Sequence, residues 1–186
     1  GKTKLSAEKI ILNASPHNII LRSAVIYGWS TRSRFTSWII DSLSQNKTVD
    51  PFIDQYNTPT LVDDLAKSVF SSIEKDLAGV YHASGKSCLN RFQFAQKLAK
   101  SFDLDQNLVI PTKSSDIPQI APRPKNGCLD SSQFEDKSGI KFNEIEKNAI
   151  IEALDKANGK IPQAAKALGI SRATFYRKIK KYRSAS

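Results

Sequence analysis

The chain has 186 residues, 40% of them hydrophobic, and a net charge of +10. That apolar content suffices for a packed core and excludes a disordered or fibrous chain; the length allows one large domain, or a medium one plus a small one. The charge favours a polyanionic partner. It is unevenly spread: from Asn143 onward ten Lys/Arg face four acids, a net +6, the preceding residues carry +4, and no acid follows Asp155.

No apolar run reaches the roughly 18 residues of a membrane span, and no signal peptide is legible. A cytoplasmic protein with no membrane partner is expected. Cys88 and Cys128 are the only cysteines and form no CxxC pair. They read as two separate, inert thiols of a reducing compartment. Methionine is absent and the chain opens with Gly1, whereas an ordinary chain of this length carries about four Met. Further sequence is therefore expected before Gly1.

In chain order, Lys4 to Asn13 reads as a helix tail with Leu5, Ile10, Ile11 and Leu12 apolar and Glu8 and Lys9 outward. Ile19 to Tyr27 reads as one buried strand stopped by Gly28. A helix follows over Arg34 to Leu43, a short strand over Val49 to Ile53, and a loop over Gln55 to Thr60. Val62 to Ile73 is a helix with Thr60 or Asp63 as its cap, and Gly79 to Ala83 a strand. Leu89 to Phe102 places Phe92, Ala95, Leu98, Ala99 and Phe102 on one helix face, with Asn90 as cap. Leu108 to Ile110 reads as a brief strand, Pro111 to Pro124 as a proline-rich loop, and Ser131 to Lys137 as a short helix. Strands alternating with helices predict a parallel α/β sheet, but one long strand is too little for a sheet covered on both faces.

Beyond Lys141 the pattern becomes purely helical. Ile145, Ala149, Ile150 and Leu154 form a stripe that ends near Asn158-Gly159. Over Ile161 to Tyr182, Gly169 suits the left-handed turn ending one helix, and Ser171 can cap the next. Ala164 and Ala165 permit close helix crossing, and Leu168, Ile170, Phe175 and Ile179 supply an apolar seam. A helix–turn–helix with a basic second helix suits a DNA major groove. Without that reading, the tail is an amphipathic hairpin with a solvated basic face, serving only dimerisation.

The α/β part resembles the extended short-chain dehydrogenase/reductases, above all the dTDP-4-dehydrorhamnose reductases and their sugar-nucleotide relatives. The resemblance rests on Gly1 to Lys4, Leu21-Arg22 through Tyr27-Gly28, Gln55 to Thr60, Asp64-Leu-Ala66, Gly79 to His82, and Arg123 to Asp130. It implies an incomplete Rossmann-type α/β domain over 1–142, followed by a small all-α, three-helix helix–turn–helix domain over 143–186. In that family a Tyr-x-x-x-Lys pair carries the proton chemistry. Lys4 fits the catalytic Lys, and its Tyr partner would lie before Gly1. The resemblance implies NAD(P)H as cofactor, yet no glycine-rich motif for its phosphates occurs in this sequence, so no turnover is expected of this chain alone. It implies a dTDP-sugar as substrate, with Thr58, Thr60 and Arg123 as candidate binding residues. Thr58 and Thr60 serve equally well as a turn residue and a helix cap, and Arg123 as a solvated loop residue. No His, Cys, Asp or Glu spacing suggests a metal.

The tail resembles the Fis-type helix–turn–helix, on Glu146, Ala164-Ala165, Leu168 through Arg172, Thr174, and Lys178 to Tyr182. The resemblance implies a homodimer on DNA, with Ser171, Arg172, Thr174, Tyr176, Arg177 and Lys178 facing it. Arg172 is the candidate base contact, since guanidinium binds guanine bidentately. Lys178, Lys180 and Lys181 suit phosphate, which adds affinity without sequence choice.

Overall fold

The apolar run expected as a single strand is two. In the computed structural model, which describes residues 1–28, 34–118, 121, 123–142, 145–168 and 171–183, helix α1 (Lys2–Ala14) leads into β1 (Ile19–Arg22) and then β2 (Ile26–Tyr27). The side chains of residues 145–149, 152, 174, 178 and 181–183 lie outside that description. Between the strands Val25 has φ of 34°, a conformation that costs a β-branched residue about 1–3 kcal/mol. The turn lets one run serve two sheets, and no part of β1 is fully buried.

After α2 (Arg34–Ser44), the expected loop holds two short strands, β3 (Tyr56–Asn57) and β4 (Thr60–Leu61). Then come α3 (Val62–Glu74), β5 (Gly79–His82), β6 (Leu89–Asn90), α4 (Arg91–Ser101), β7 (Asn126–Gly127) and α5 (Ser132–Ser138). Parallel pairs β1–β5 and β2–β4 stand beside a mixed sheet ordered β6-β3-β7. The strands expected at 49–53 and 108–110 are reduced to parallel bridges, Val49 with Val109 and Phe52 with Thr112. Of the expected proline-rich loop, residues 119, 120 and 122 lie outside the described set; a 3-10 turn occupies Ser114–Asp116.

Two helix starts show what decides a cap. Asn90 caps α4 as expected, its side chain accepting from Gln93 N at 2.7 Å while Gln93 returns the bond to Asn90 N at 3.0 Å. Neither Thr60 nor Asp63 caps α3: Leu61 holds the cap position without a side-chain bond. The Thr60 hydroxyl instead donates to Ala24 O at 2.8 Å.

The main core joins Tyr27, Ile39, Leu43 and Leu61 to Phe94, Ala95, Leu98, Ala99 and Phe102, so α2 and α4 pack over the strands. A smaller cluster of Ala83, Phe134 and Phe142 fixes α5 against β5. Two helices reverse the usual polarity. α3 buries Asp64, Ser68, Ser71 and Ser72 and exposes Val69, Phe70 and Ile73. The serines satisfy themselves on helix carbonyls, and Ser71 bonds Ser138 O at 2.8 Å. On α1, Leu5, Ile10 and Ile11 are exposed. Glu8, expected to point outward, is half-buried and accepts from Arg22 Nε of β1 at 2.9 Å.

The cysteine expectation also fails, because Cys88 and Cys128 are joined in a disulfide, with Cα atoms 5.6 Å apart. Their separation of 40 residues hides the pairing in the sequence; β3, lying between their two strands, brings them together.

The last three helices are α6 (Ile145–Lys156), α7 (Ile161–Ala167) and α8 (Arg172–Arg183). Asn158 and Gly159 both take positive φ, 48° and 75°, and Gly159 N reaches back to Leu154 O at 2.9 Å, ending α6 where the sequence suggested. Ala164, Ala165, Leu168 and Phe175 are buried with Ile150, Ala153 and Ala157. These residues belong to the same core as α2 and α4, with α6 packed on α4. The expected left-handed turn at Gly169, the seam residue Ile170 and the domain junction at Asn143 lie outside the described residues.

Candidate functional site

An extended backbone alternates its side chains, and this explains the wall built by residues 56–60. Asn57 and Pro59 line a narrow cleft of about 10 Å³, whereas Thr58 and Thr60 turn inward and are 2% and 0% exposed. Their hydroxyls hold backbone. Thr60 Oγ1 accepts from Gly85 N at 3.2 Å, and Thr58 Oγ1 from Leu129 N at 3.4 Å. The two sequence candidates thus support the cleft from behind while their neighbours face it. Gly85 is required for this approach: a Cβ there would stand 1.9 Å from Pro59 O.

Phe35 of α2 and Phe94 of α4 form the apolar side of the cleft, stacked with ring centroids 5.4 Å apart. Arg91, the first residue of α4, lies over the Phe35 ring at 5.4 Å. Its Nε is buried and has no hydrogen-bond partner. Burial, then the positive charge of Arg123, hold the Arg91 pKa below its ordinary value. Among the described residues neither arginine has a carboxylate partner within ion-pair distance. A partly desolvated guanidinium without a counter-charge is unfavourable until an anion arrives, and its fork suits phosphate. Arg91, which sequence reasoning missed, lines the cleft, whereas Arg123, expected from sequence, is exposed and is not among its lining residues. The missed signal was a cation directly behind a well-formed capping residue, where the helix start fixes its direction.

Lys4 is exposed on α1, and no hydrogen bond or ion pair among the described residues connects it to the cleft. Residues 1–186 hold no glycine-rich phosphate turn. No group of three or more His, Cys, Asp or Glu able to hold a metal is found among the described residues, and no helix there is long and apolar enough to cross a membrane.

On α8, Phe175 is fully buried while Arg172, Tyr176, Arg177 and Lys180 are exposed. Arg172, Tyr176 and Lys180 follow at four-residue spacing and share one side of the helix. Ser171 precedes the helix and its carbonyl accepts from Phe175 N at 3.0 Å. Thr174, Lys178 and Lys181 belong to the same helix, their side chains being outside the described set. The helix has six basic and no acidic residues.

Residues 1–158 match the family model described as RmlD substrate binding domain, and residues 141–182 that of the bacterial regulatory protein, Fis family. A probable low-salt glycan biosynthesis reductase, Agl14, of Haloferax volcanii is 27% identical over 158 residues, covering 82% of this chain and 53% of the relative. A dTDP-4-dehydrorhamnose reductase structure from Clostridium acetobutylicum superposes with a TM-score of 0.73 at 27% identity, over 85% of this chain and 55% of that one. The Bacillus anthracis dTDP-4-dehydrorhamnose reductase, solved in complex with NADP, shares the fold with a TM-score of 0.68 at 23% identity, covering 76% and 49%. The chain spans about half the length of the curated relatives it matches. The match over residues 1–158, carried on a Rossmann-like reductase fold, thus places the chain in the RmlD substrate binding domain family, with the Fis-type match over 141–182 beside it.

Proposed function

We propose that this chain is a cytoplasmic DNA-binding protein that carries the substrate side of a nucleotide-sugar reductase. In this reading residues 1–142 form the reductase-like unit and 143–186 the DNA-binding unit, which works as a homodimer with one α8 in each half-site. The observation that carries it is the exposed face of Arg172, Tyr176, Arg177 and Lys180 over the buried Phe175. Arg172, the first residue of α8, reads a base, and Lys178, Lys180 and Lys181 neutralise phosphates. Ser171 and Thr174 add hydroxyl contacts. The test is a gel shift with a salt titration on the full chain. Affinity falling steeply with salt, and falling about ten- to a hundredfold in Arg172→Ala, supports the reading. Binding indifferent to both salt and Arg172 refutes it and leaves the tail as a dimerisation hairpin.

The unpartnered Arg91 Nε favours a second role for the same molecule. Arg91 and Arg123 hold the diphosphate of a dTDP-sugar, and Thr58 and Thr60 keep the wall in place behind Asn57 and Pro59. By the resemblance Lys4 contributes the ribose-side cation of an NAD(P)H site, for which residues 1–186 supply no glycine-rich phosphate turn. The chain alone is therefore expected to bind dTDP without turning over a dTDP-4-keto sugar. Oxidation of NAD(P)H by the chain alone would refute this.

A further inference from the structure

We propose that a second, polar cavity, separate from the cleft, is a binding site for a small zwitterionic amino acid. The cavity holds about 150 Å³, against about 10 Å³ for the cleft, and shares no lining residue with it.

Its two sides come from distant stretches of chain. Residues 84–86, which follow β5, form one side; residues 129–132 and Glu135 of α5 form the other. Buried hydroxyls join them. Ser84 N donates to Ser131 Oγ at 2.9 Å, and the two hydroxyl oxygens are themselves 2.9 Å apart. Ser131 Oγ also reaches Ser84 O at 3.2 Å. Behind them, Gly85 N and Leu129 N are tied to the Thr60 and Thr58 hydroxyls at 3.2 and 3.4 Å. The base of the cavity is thus fixed in advance, which leaves little ordering cost to a ligand.

Each side carries one charge that the protein leaves unmatched. Lys86 is exposed on one side and Asp130 on the other. Among the described residues neither has an ion-pair partner. Asp130 Oδ1 accepts from Ser132 N at 2.9 Å. That backbone bond first, and the Ser132 hydroxyl second, hold the Asp130 pKa below its ordinary value. Asp130 is therefore a carboxylate at neutral pH, with acceptor capacity to spare. Glu135, the other acid here, is already answered. Its Oε1 accepts from Phe142 N at 3.0 Å, and its Oε2 lies 3.5 Å from Lys141 Nζ. What remains is one cation and one anion on the two sides of a void lined by serine hydroxyls, not paired with each other.

That arrangement selects its occupant by size and by charge. A void of this volume admits a molecule of about six heavy atoms, and a polar lining calls for a polar one. An α-amino acid with a small side chain presents a carboxylate to Lys86 and an ammonium to Asp130. A simple anion leaves Asp130 unanswered, a simple cation leaves Lys86, and a neutral polyol leaves both.

The test titrates the isotope-labelled full chain with L-alanine and follows the amide NMR signals of Gly85, Lys86, Ser131 and Ser132. Propionate, which lacks the ammonium, ethylammonium, which lacks the carboxylate, and glycerol are titrated in the same way. L-Alanine is expected to shift these signals saturably. Propionate and ethylammonium should each bind about tenfold more weakly, having lost one charge-assisted hydrogen bond. Lys86→Gln should weaken L-alanine about tenfold without weakening ethylammonium, and Asp130→Asn should do so without weakening propionate. Far-UV circular dichroism checks that both variants keep the fold, and the ligand comparison on the unaltered chain needs no variant. Absence of a saturable shift with L-alanine overturns the proposal. So does propionate or glycerol binding as tightly as L-alanine, which makes the cavity a plain anion site or a polyol site.

Discussion

In the cleft, Arg91 is drawn partly out of water against Phe35, with Arg123 as its charged neighbour. On α8 the cations Arg172, Arg177 and Lys180 stand in solvent. The first arrangement makes one anion worth much and geometry decisive; the second makes many phosphates worth a little each and ionic strength decisive. The two surfaces also differ in origin. The cleft gathers Val25, Phe35, Asn57 and Arg91 from four separate stretches of chain. The helical end builds its face from one helix over neighbours close in sequence.

That contrast breaks if the two regions are one energetic unit, and the continuous core from Tyr27 and Phe94 through Ile150 to Phe175 makes them so. Phe175→Ala, at a fully buried ring, is expected to cost about 3–5 kcal/mol. Urea unfolding followed both by tryptophan fluorescence, to which Trp38 of α2 contributes, and by far-UV circular dichroism should move as a single transition. Two transitions, with only one displaced, would show that α6–α8 fold apart from α4.

A smaller loss sharpens the contrast from the other side. Gly85→Ala drives a methyl group into Pro59 O, 1.9 Å from the ideal Cβ position, and overpacking of that kind costs about 1–3 kcal/mol. Its effect should fall on dTDP affinity, because the Pro59 wall and the Thr60 bond move together. DNA affinity should stay within twofold, as measured by gel shift at fixed salt. Asn90→Ala removes both the cap of α4 and a bond from Asn90 Nδ2 to Ile53 O at 2.8 Å. It is expected to cost about 1–2 kcal/mol in chemical unfolding and to weaken dTDP by loosening Arg91.

The same contrast explains what the sequence disclosed. The helices α2, α3 and α4 and the terminal trio show themselves through local periodicity and through residues such as Asn90, Gly159, Ala164 and Ala165, whose roles depend on near neighbours. The cleft depends on pairings between distant residues, and its strands are two residues long, too short for any periodic signal. Thr58 and Thr60 drew attention as polar residues in a resembling motif, yet strand alternation turns them inward and gives the cleft to Asn57 and Pro59. The turn at Val25 was hidden inside a run that reads as one strand. The disulfide was hidden by the 40 residues between its ends.

Acid should test the α/β part alone and by the least amount. Asp54 accepts from Ser114 Oγ at 2.7 Å and Ser114 N at 3.1 Å, and these bonds, the hydroxyl first, hold its pKa below the ordinary value. The Arg22 side chain lowers Glu8 in the same way. A carboxylate with a lowered folded pKa contributes stability that is fully present above its unfolded pKa. That contribution fades as pH drops below about 4 and is lost once pH has fallen through the folded value. Both residues are half-buried and still reached by solvent, so the effect is small and salt-sensitive. The guanidinium of Arg91 remains charged across this range whatever its shift. Carboxyl carbon NMR should therefore show Asp54 and Glu8 titrating below the ordinary carboxylate range, with Ser114→Ala moving Asp54 part of the way back toward it. dTDP affinity should stay flat from pH 8 to 6.5, above the second phosphate ionisation near pH 6. A carboxylate-like inflection in dTDP binding above pH 6.5 would mean that an acidic residue controls the cleft, contrary to the two-arginine geometry.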